Sequence, residues 1–330
     1  MSEPAYVPDG YEIVQRLGAG QTSVVWLARH ARSDRRVALK LPRNDVRTNP
    51  VLRRMFENEV QITLKLDHRN VVRAFDGHPT GVHAYLALEY CQGGTLDQLL
   101  LEKGRLPMVR ALGLVDDVAL GLAHTHEQQV LHRDVKPANV FLDDEGTAKL
   151  GDFGTGTFAA DASDERVGTA FYMAPEIFQG SSPTAQSDVY SLGVLAYEVL
   201  SGERPFVGSS YDGLMIAHLT SLPRDLRHLR SDLPNGLSAV VTRAMSRDAT
   251  RRFQSVEAFV KAYRTKSGTG DQVSSGGSKV PVEPEAATGR AGRVGAATPA
   301  PVNGRSADRT PETPEGERRG LFGWLRRRKR

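Results

Sequence analysis

The sequence predicts an α+β protein of two lobes: a small β-rich first lobe with one helix, then a larger, mainly helical lobe, followed by a disordered tail. Three observations lead there. Up to about residue 90 the apolar residues fall in short β-branched runs separated by turn residues, and one helical pattern interrupts them. Beyond that point the apolar spacing is mostly helical. From Lys266 onward the chain is Gly, Pro, Ala, Ser and Thr with almost no large apolar residues, a composition that cannot bury enough surface to offset its ordering entropy. The divisions implied are an extension over 1–10, a folded domain over 11–265 with lobes of about 11–90 and 91–265, a linker over 266–320, and an apolar-then-basic end over 321–330.

The strands of the first lobe are read from "YEIVQRLG", "TSVVWLARH", "RRVALKL", "NVVRAFDG" and "VHAYLALEY", with the helix between the third and fourth. In the second lobe "MVRALGLVDDVALGLAHTH" and "SDVYSLGVLAYEVLSG" have helical periodicity. The latter, from Asp188 to Leu200, is apolar nearly all round, which predicts a buried central helix. The 330 residues suffice for a substantial core. The lone cysteine, Cys91, excludes an intrachain disulfide framework and fits a reducing cytoplasm. No apolar run approaches the roughly 18 residues a membrane span needs, and "MSEPAYVPDG" lacks an export signal. The net charge of +4 is uneven: 13 of the 43 basic and 7 of the 39 acidic residues lie from Lys266 on, leaving 30 basic and 32 acidic, net −2, before it. The basicity belongs to the tail, so the folded domain carries no footprint for specific nucleic acid.

Three stretches carry chemistry. Leu52, Met55, Glu59, Ile62 and Leu66 follow at steps of three and four, which sets Glu59 in the apolar stripe of the first lobe's helix, whereas Glu57 points away from it. A carboxylate there needs a cation, and Lys40, ending the apolar run "VALK" on the third strand, is placed by strand alternation to supply it. A structural salt bridge is the alternative reading of the pair. "LGAGQTSVV" sets Gly18 and Gly20 at the turn between the first two strands, where a backbone without side chains can approach a phosphate or simply form a hairpin. In "HRDVKPAN", an Asp, a Lys and an Asn within six residues either line a solvated loop or converge on one charged substrate.

In this order the stretches resemble the eukaryotic-type protein kinases, and more closely their bacterial serine/threonine members. "GAGQTSVV" resembles the glycine-rich loop, "VALK" the phosphate-binding lysine strand, "FENEV" the helix with its glutamate, "HRDVKPAN" the catalytic loop and "GDFG" the magnesium loop. "GTAFYMAPE" and the central helix after it complete the set, over roughly residues 11 to 265. The resemblance implies a two-lobed protein kinase fold that binds ATP with Mg2+, or Mn2+ in its place, and transfers phosphate to proteins. It implies that Asp134 orients the substrate hydroxyl, Lys136 reaches the transferring phosphate, and Asn139 and Asp152 hold metal. Lys40, held by Glu59, would fix the α and β phosphates. The nucleotide site would add Leu17, Gly18, Ala19, Gly20, Gln21, Val25 and Ala38, with Leu88 as gatekeeper and the hinge backbone at Glu89 and Cys91. The third glycine of the usual loop is Ser23 here, a departure expected to alter loop stiffness. The intact Lys40, Asp134 and Asp152 weigh against an inactive scaffold, and Ala174 to Glu176 against a small-molecule phosphotransferase.

Lys136 with Thr169 resembles the serine/threonine class, and Thr169 is expected to hydrogen-bond near Asp134 and Lys136. Arg133 marks kinases whose activation segment is ordered by phosphorylation, with Ser163, then Thr157 or Thr155, as acceptors and a homodimer as the route to autophosphorylation in trans. Acidic Asp161, Asp164 and Glu165 raise the cost of a phosphate at Ser163. Asp188 is expected buried, accepting catalytic-loop amides, Arg252 to pair with Glu176, and His132 to pack under the magnesium loop. His124 and His126 point apart on a helix, which argues against a metal. The end "GLFGWLRRRKR" is too short to span a bilayer but has the apolar-plus-basic make-up of a weak contact with anionic lipid at the inner membrane surface, or else of a solvated end or a nonspecific grip on nucleic acid.

Overall fold

The computed structural model describes residue 4, residues 6–153 and residues 163–269. The first lobe is an antiparallel sheet of β1 (Tyr11–Ala19), β2 (Ser23–His30), β3 (Arg36–Pro42), β4 (Ala74–His78) and β5 (Tyr85–Glu89), in the order β1-β2-β3-β5-β4. Alternation sorts its faces: Val37, Leu39 and Leu41 pack with Trp26 and Ala87 on one side, while Ala38 and Lys40 face the other.

Two helices stand where the periodicity predicted one. α1 (Asn44–Thr48) stops at Asn49, whose side chain then caps α2 (Pro50–Thr63) by accepting from the Val51 and Leu52 amides. Pro50 opens α2 where no N–H is needed. The predicted fourth strand is also divided. Only Ala74 onward joins the sheet, because Val71 bridges to Leu150 of the second lobe and the Val72 amide donates to the Leu150 carbonyl at 2.9 Å. Leu66 lies past the end of α2 and enters the second lobe's core.

The second lobe contains α3 (Leu96–Lys103), α4 (Met108–Glu127), the ribbon β6 (Val140–Leu142) and β7 (Ala148–Leu150), α5 (Ser163–Ala170), α6 (Pro175–Phe178), α7 (Ala185–Ser201), α8 (Tyr211–Thr220), α9 (Leu226–Leu229), α10 (Leu237–Ala244) and α11 (Val256–Ser267). Capping boxes start α3 at Thr95/Gln98 and α7 at Thr184/Ser187. Every residue of α7 from Ser187 to Ser201 is buried, as its all-round apolar sequence requires, and α4, α10 and α11 pack around it. The last helix runs to Ser267, and the tail lies outside the described residues.

The loop before β4 lies directly on α4, where only a glycine fits. A Cβ on Gly121 would sit 2.3 Å from the Asn70 carbonyl oxygen, whereas one on Gly113 in the same helix meets nothing. Gly121→Ala is therefore expected to destabilise by about 1–3 kcal/mol through overpacking against main chain. Gly113→Ala is expected to stabilise by about 0.5–1 kcal/mol through helix propensity. Urea unfolding of the two variants, with opposite shifts in midpoint, checks both.

Candidate functional site

A cleft runs between the lobes. Leu17, Val25 and Ala38 line it from the sheet, Val72, Leu88 and Phe141 narrow it, the segment Glu89 to Gln92 closes one end, and Lys40 and Asp152 stand at the other. Gly18 and Ala19 end β1, and Gly20 and Gln21 form the turn above the cleft. The Glu89 side chain turns away to Lys149, 2.9 Å distant, so this residue offers the cleft its backbone. Burial, with Glu89 adding to it, pushes the Cys91 thiol up to about 12, which leaves it a protonated, small packing residue. Sequence reasoning missed Val72 and Phe141. Phe141 had a signal, since Val140 and Leu142 point into the lobe's core and alternation turns the residue between them outward. Val72 had none, because its place depends on the crossing between lobes.

Lys40 binds two carboxylates at once. Its Nζ donates to Glu59 Oε1 at 2.5 Å and also to Asp152 Oδ1, and Glu59 is only 2% exposed. Glu57, the contrasting position on α2, is half-buried and among the described residues pairs with Arg53 of its own helix, at 3.9 Å. Burial alone would pull the Lys40 ammonium down, but Asp152 and Glu59 outweigh it and hold the ammonium above the usual lysine range. Burial and the charge of Asp152 push the Glu59 carboxyl up, against the pull of Lys40. One ammonium between two carboxylates leaves excess negative charge, which a further cation would offset.

The catalytic-loop stretch is arranged around Asp188. Its Oδ1 accepts from the Arg133 amide at 2.8 Å, and its Oδ2 from the His132 amide at 2.9 Å and from His126 Nε2 at 2.8 Å. Arg133 and Asp152 both adopt left-handed backbone, at φ 68° and 64°, a strained state for residues with a side chain. Fully buried His132 donates through Nε2 to the Gly151 carbonyl at 3.0 Å, accepts from the Asp134 amide at Nδ1, and lies against Phe153. Its burial lowers the imidazole pKa despite the acids nearby, which keeps the ring neutral and this tautomer in place.

Asp134, Lys136, Asn139 and Thr169 meet. Lys136 Nζ lies 2.8 Å from both Asp134 Oδ2 and Thr169 Oγ1. Asn139 Nδ2 donates to Asp134 Oδ2 and to the Asp134 carbonyl, each at 2.9 Å, so its Oδ1 is the atom left to accept. Arg133 extends its side chain to solvent. Ser163 opens α5, while Thr155 and Thr157 lie outside the described residues. Among the described residues no group of three or more His, Cys, Asp and Glu is placed to hold a metal, and His124 stacks on His68 instead.

The sequence profile of the protein kinase domain matches residues 11–263. The chain belongs to the protein kinase family. Serine/threonine-protein kinase PknB of Mycobacterium leprae is 34% identical over 278 residues, which cover 81% of this chain and 45% of that protein. PknA of Corynebacterium glutamicum is 36% identical over 256 residues, 74% of this chain and 53% of the relative. The chain thus spans about half the length of these curated relatives. The crystal structure of the Mycobacterium tuberculosis PknI kinase domain, 27% identical, superposes with a TM-score of 0.62 over 81% of this chain and all of that one.

In this kinase domain the segment leading away from Thr169 is anchored by a buried guanidinium. Arg252, at 0% exposure, forks onto both oxygens of Glu176 at 2.7 Å and donates to the carbonyls of Ser246, Gln186 and Arg247. Burial pushes the Glu176 carboxyl up, but the Arg252 fork outweighs it and holds the group below the usual range. Arg252→Ala is expected to cost about 3–5 kcal/mol, since it strands a carboxylate and three carbonyls. Adding Glu176→Ala should cost less than the sum of the two single changes, as a double-mutant cycle in urea would register.

Proposed function

We propose that this kinase transfers the γ-phosphate of ATP, bound with Mg2+, to serine or threonine hydroxyls of proteins, itself included. The observation that carries the reading is the pairing of two clusters in one cleft: Lys40 between Glu59 and Asp152, and Asp134 beside Lys136 and Asn139. Phosphoryl transfer asks the protein for position and charge more than for covalent chemistry. Lys40 is the cation for the nucleotide's α and β phosphates, and Glu59 keeps it in place. Lys136 and Asn139 pin Asp134 Oδ2, which leaves Oδ1 to orient the hydroxyl and accept its proton. Lys136 lies beside the transferring group. Asp152 and Asn139 Oδ1 are oxygen donors, which suits a hard cation that keeps waters and substrate phosphates as its remaining ligands, Mg2+ first and Mn2+ in its place. When bound, the ion would offset charge on the phosphate oxygens. The Lys136–Thr169 contact and the names of the relatives support the serine/threonine class.

The expected result is that purified protein with Mg-ATP phosphorylates itself and a generic basic protein. Lys40→Met, Asp152→Asn and Asp134→Asn should each lower kcat by about two orders of magnitude or more with the fold retained, measured by phosphate incorporation and circular dichroism. ATP binding without transfer to any protein would indicate a scaffold, and transfer only to a small metabolite another class of phosphotransferase. For the activation segment the reading places autophosphorylation at Ser163, failing that Thr157 or Thr155, with Arg133 as the cationic partner and a second copy as the donor.

Among the described residues no helix is long and apolar enough to cross a membrane. For the tail the reading is a weak contact with anionic lipid: five basic residues, Arg326 to Arg330, at about 1 kcal/mol each give up to ~5 kcal/mol before the ordering cost is subtracted. Full-length protein is expected to co-sediment with anionic liposomes at low salt and not at high salt. A truncation after Glu317 should not bind, and equal partitioning of both would leave the tail a linker.

A further inference from the structure

The turn between β1 and β2 is held from outside the cleft by one residue. The turn closes on itself through the Gly20 amide, which donates to the Ser23 carbonyl at 2.8 Å. Two other carbonyls of the turn both end on Arg43, just past β3. The Arg43 amide donates to the Thr22 carbonyl at 3.1 Å, and the Arg43 Nη1 to the Gly20 carbonyl at 3.3 Å. The rest of the guanidinium is forked onto Asp45 in the first turn of α1, with Nε at 3.1 Å and Nη2 at 2.9 Å. Arg43 is thus braced at one end and grips the turn with the other, and Thr22 and Ser23 are each only 3% exposed.

A trans peptide unit is planar, and its C=O and N–H point in opposite directions. The chain has no cis bond among its described residues. The Gly20 carbonyl shares its plane with the Gln21 amide, and the Thr22 carbonyl shares its plane with the Ser23 amide. Drawing both carbonyls onto Arg43 therefore turns both amides away from it. A row of main-chain amides on one face of a turn is the arrangement that receives phosphate oxygens, and a turn with free carbonyls would present acceptors to the same anion in part of its conformations.

We propose that Arg43 is a positioning residue for the phosphates of the nucleotide, acting by fixing the peptide planes of the Gly20–Ser23 turn and touching no phosphate itself. This rests on the kinase reading above. It also explains how a loop whose third usual glycine is Ser23 keeps a defined shape: the restraint comes from a side chain outside the loop. Because Asp45 belongs to α1, the turn is coupled to the helices whose second member carries Glu59.

The test compares Mg-ATP with adenosine, which has the same base and sugar but no phosphate. For Arg43→Ala, titration calorimetry is expected to show Mg-ATP binding weaker by about three- to tenfold, the ordinary net range of one hydrogen bond. Adenosine affinity, the KM for peptide and kcat should stay within about twofold and the melting temperature within a few degrees, while the KM for ATP rises with the Kd. Arg43→Lys, which keeps a charge but cannot hold Gly20 and Asp45 together, should recover part of the loss, and Asp45→Ala should show a smaller loss of the same kind. Equal weakening of ATP and adenosine, or no change in either, would overturn the proposal. Wild-type protein that binds no Mg-ATP would refute the kinase reading and this inference with it, a failure visible before any variant is made.

Discussion

A carboxylate buried at the start of α7 sets the backbone of the catalytic loop. Asp188 accepts two consecutive amides, from His132 and Arg133, on its two oxygens, and His126 on one of them. An unpartnered charge at this depth would cost several kcal/mol, so the loop's amides and the carboxylate are obligatory to each other. The geometry they share forces Arg133 into left-handed backbone, and that reversal delivers Asp134 to the cleft side while the Arg133 side chain goes to solvent. His132 then links the same loop to Gly151, one residue before Asp152. Asp134 and Asp152 are therefore both set from one anchor, and that anchor sits on α7, which is buried from Ser187 to Ser201.

The second constraint is the sharing of Lys40. Its ammonium needs both Glu59, from α2, and Asp152, from the second lobe, to be stable without water. Neither carboxylate is fully neutralised by half a cation. The arrangement binds the two lobes together across the cleft and leaves one ammonium facing two carboxylates, an excess of negative charge that a further cation would offset.

Much of this was legible in the chain because it is written in local patterns. Strand alternation points Lys40 inward and a helical stripe does the same for Glu59, so their pairing could be read without a fold. The all-round apolar character of α7 likewise announced its burial. The break at Asn49–Pro50 had a local signal, a capping residue followed by proline, that a single run of apolar spacing concealed. Other features had no local trace. Arg252 is one of two adjacent arginines, and nothing in the pair says which is buried; its role came from family resemblance. Val72 lines the cleft because its own amide and the Asn70 carbonyl hydrogen-bond to Leu150 of β7, a long-range event. Asp152 joins Lys40 across more than a hundred residues of chain, which no periodicity encodes.

The crossing at residues 70–72 has a mechanical consequence. Just beyond the end of α2 the chain is fastened to the second lobe: the Leu150 amide donates to the Asn70 carbonyl, Asn70 Nδ2 to the Ala148 carbonyl, and the Val72 amide back to Leu150. The C-terminal end of α2 is thus where both lobes meet, with Val60 packed beside Leu86 of the sheet and Ile62 against the second lobe's core, and it is the point about which the helix would tilt. Glu59 lies five residues from Leu64, about 7.5 Å along the axis. A tilt of roughly 10° about that point displaces it by about 1.3 Å, enough to part a carboxylate from an ammonium, since such contacts weaken steeply beyond hydrogen-bond range. The helix is a lever with a short arm at Glu59 and a longer one at Pro50, so a push at its exposed far end is geared down into a small stroke at Lys40.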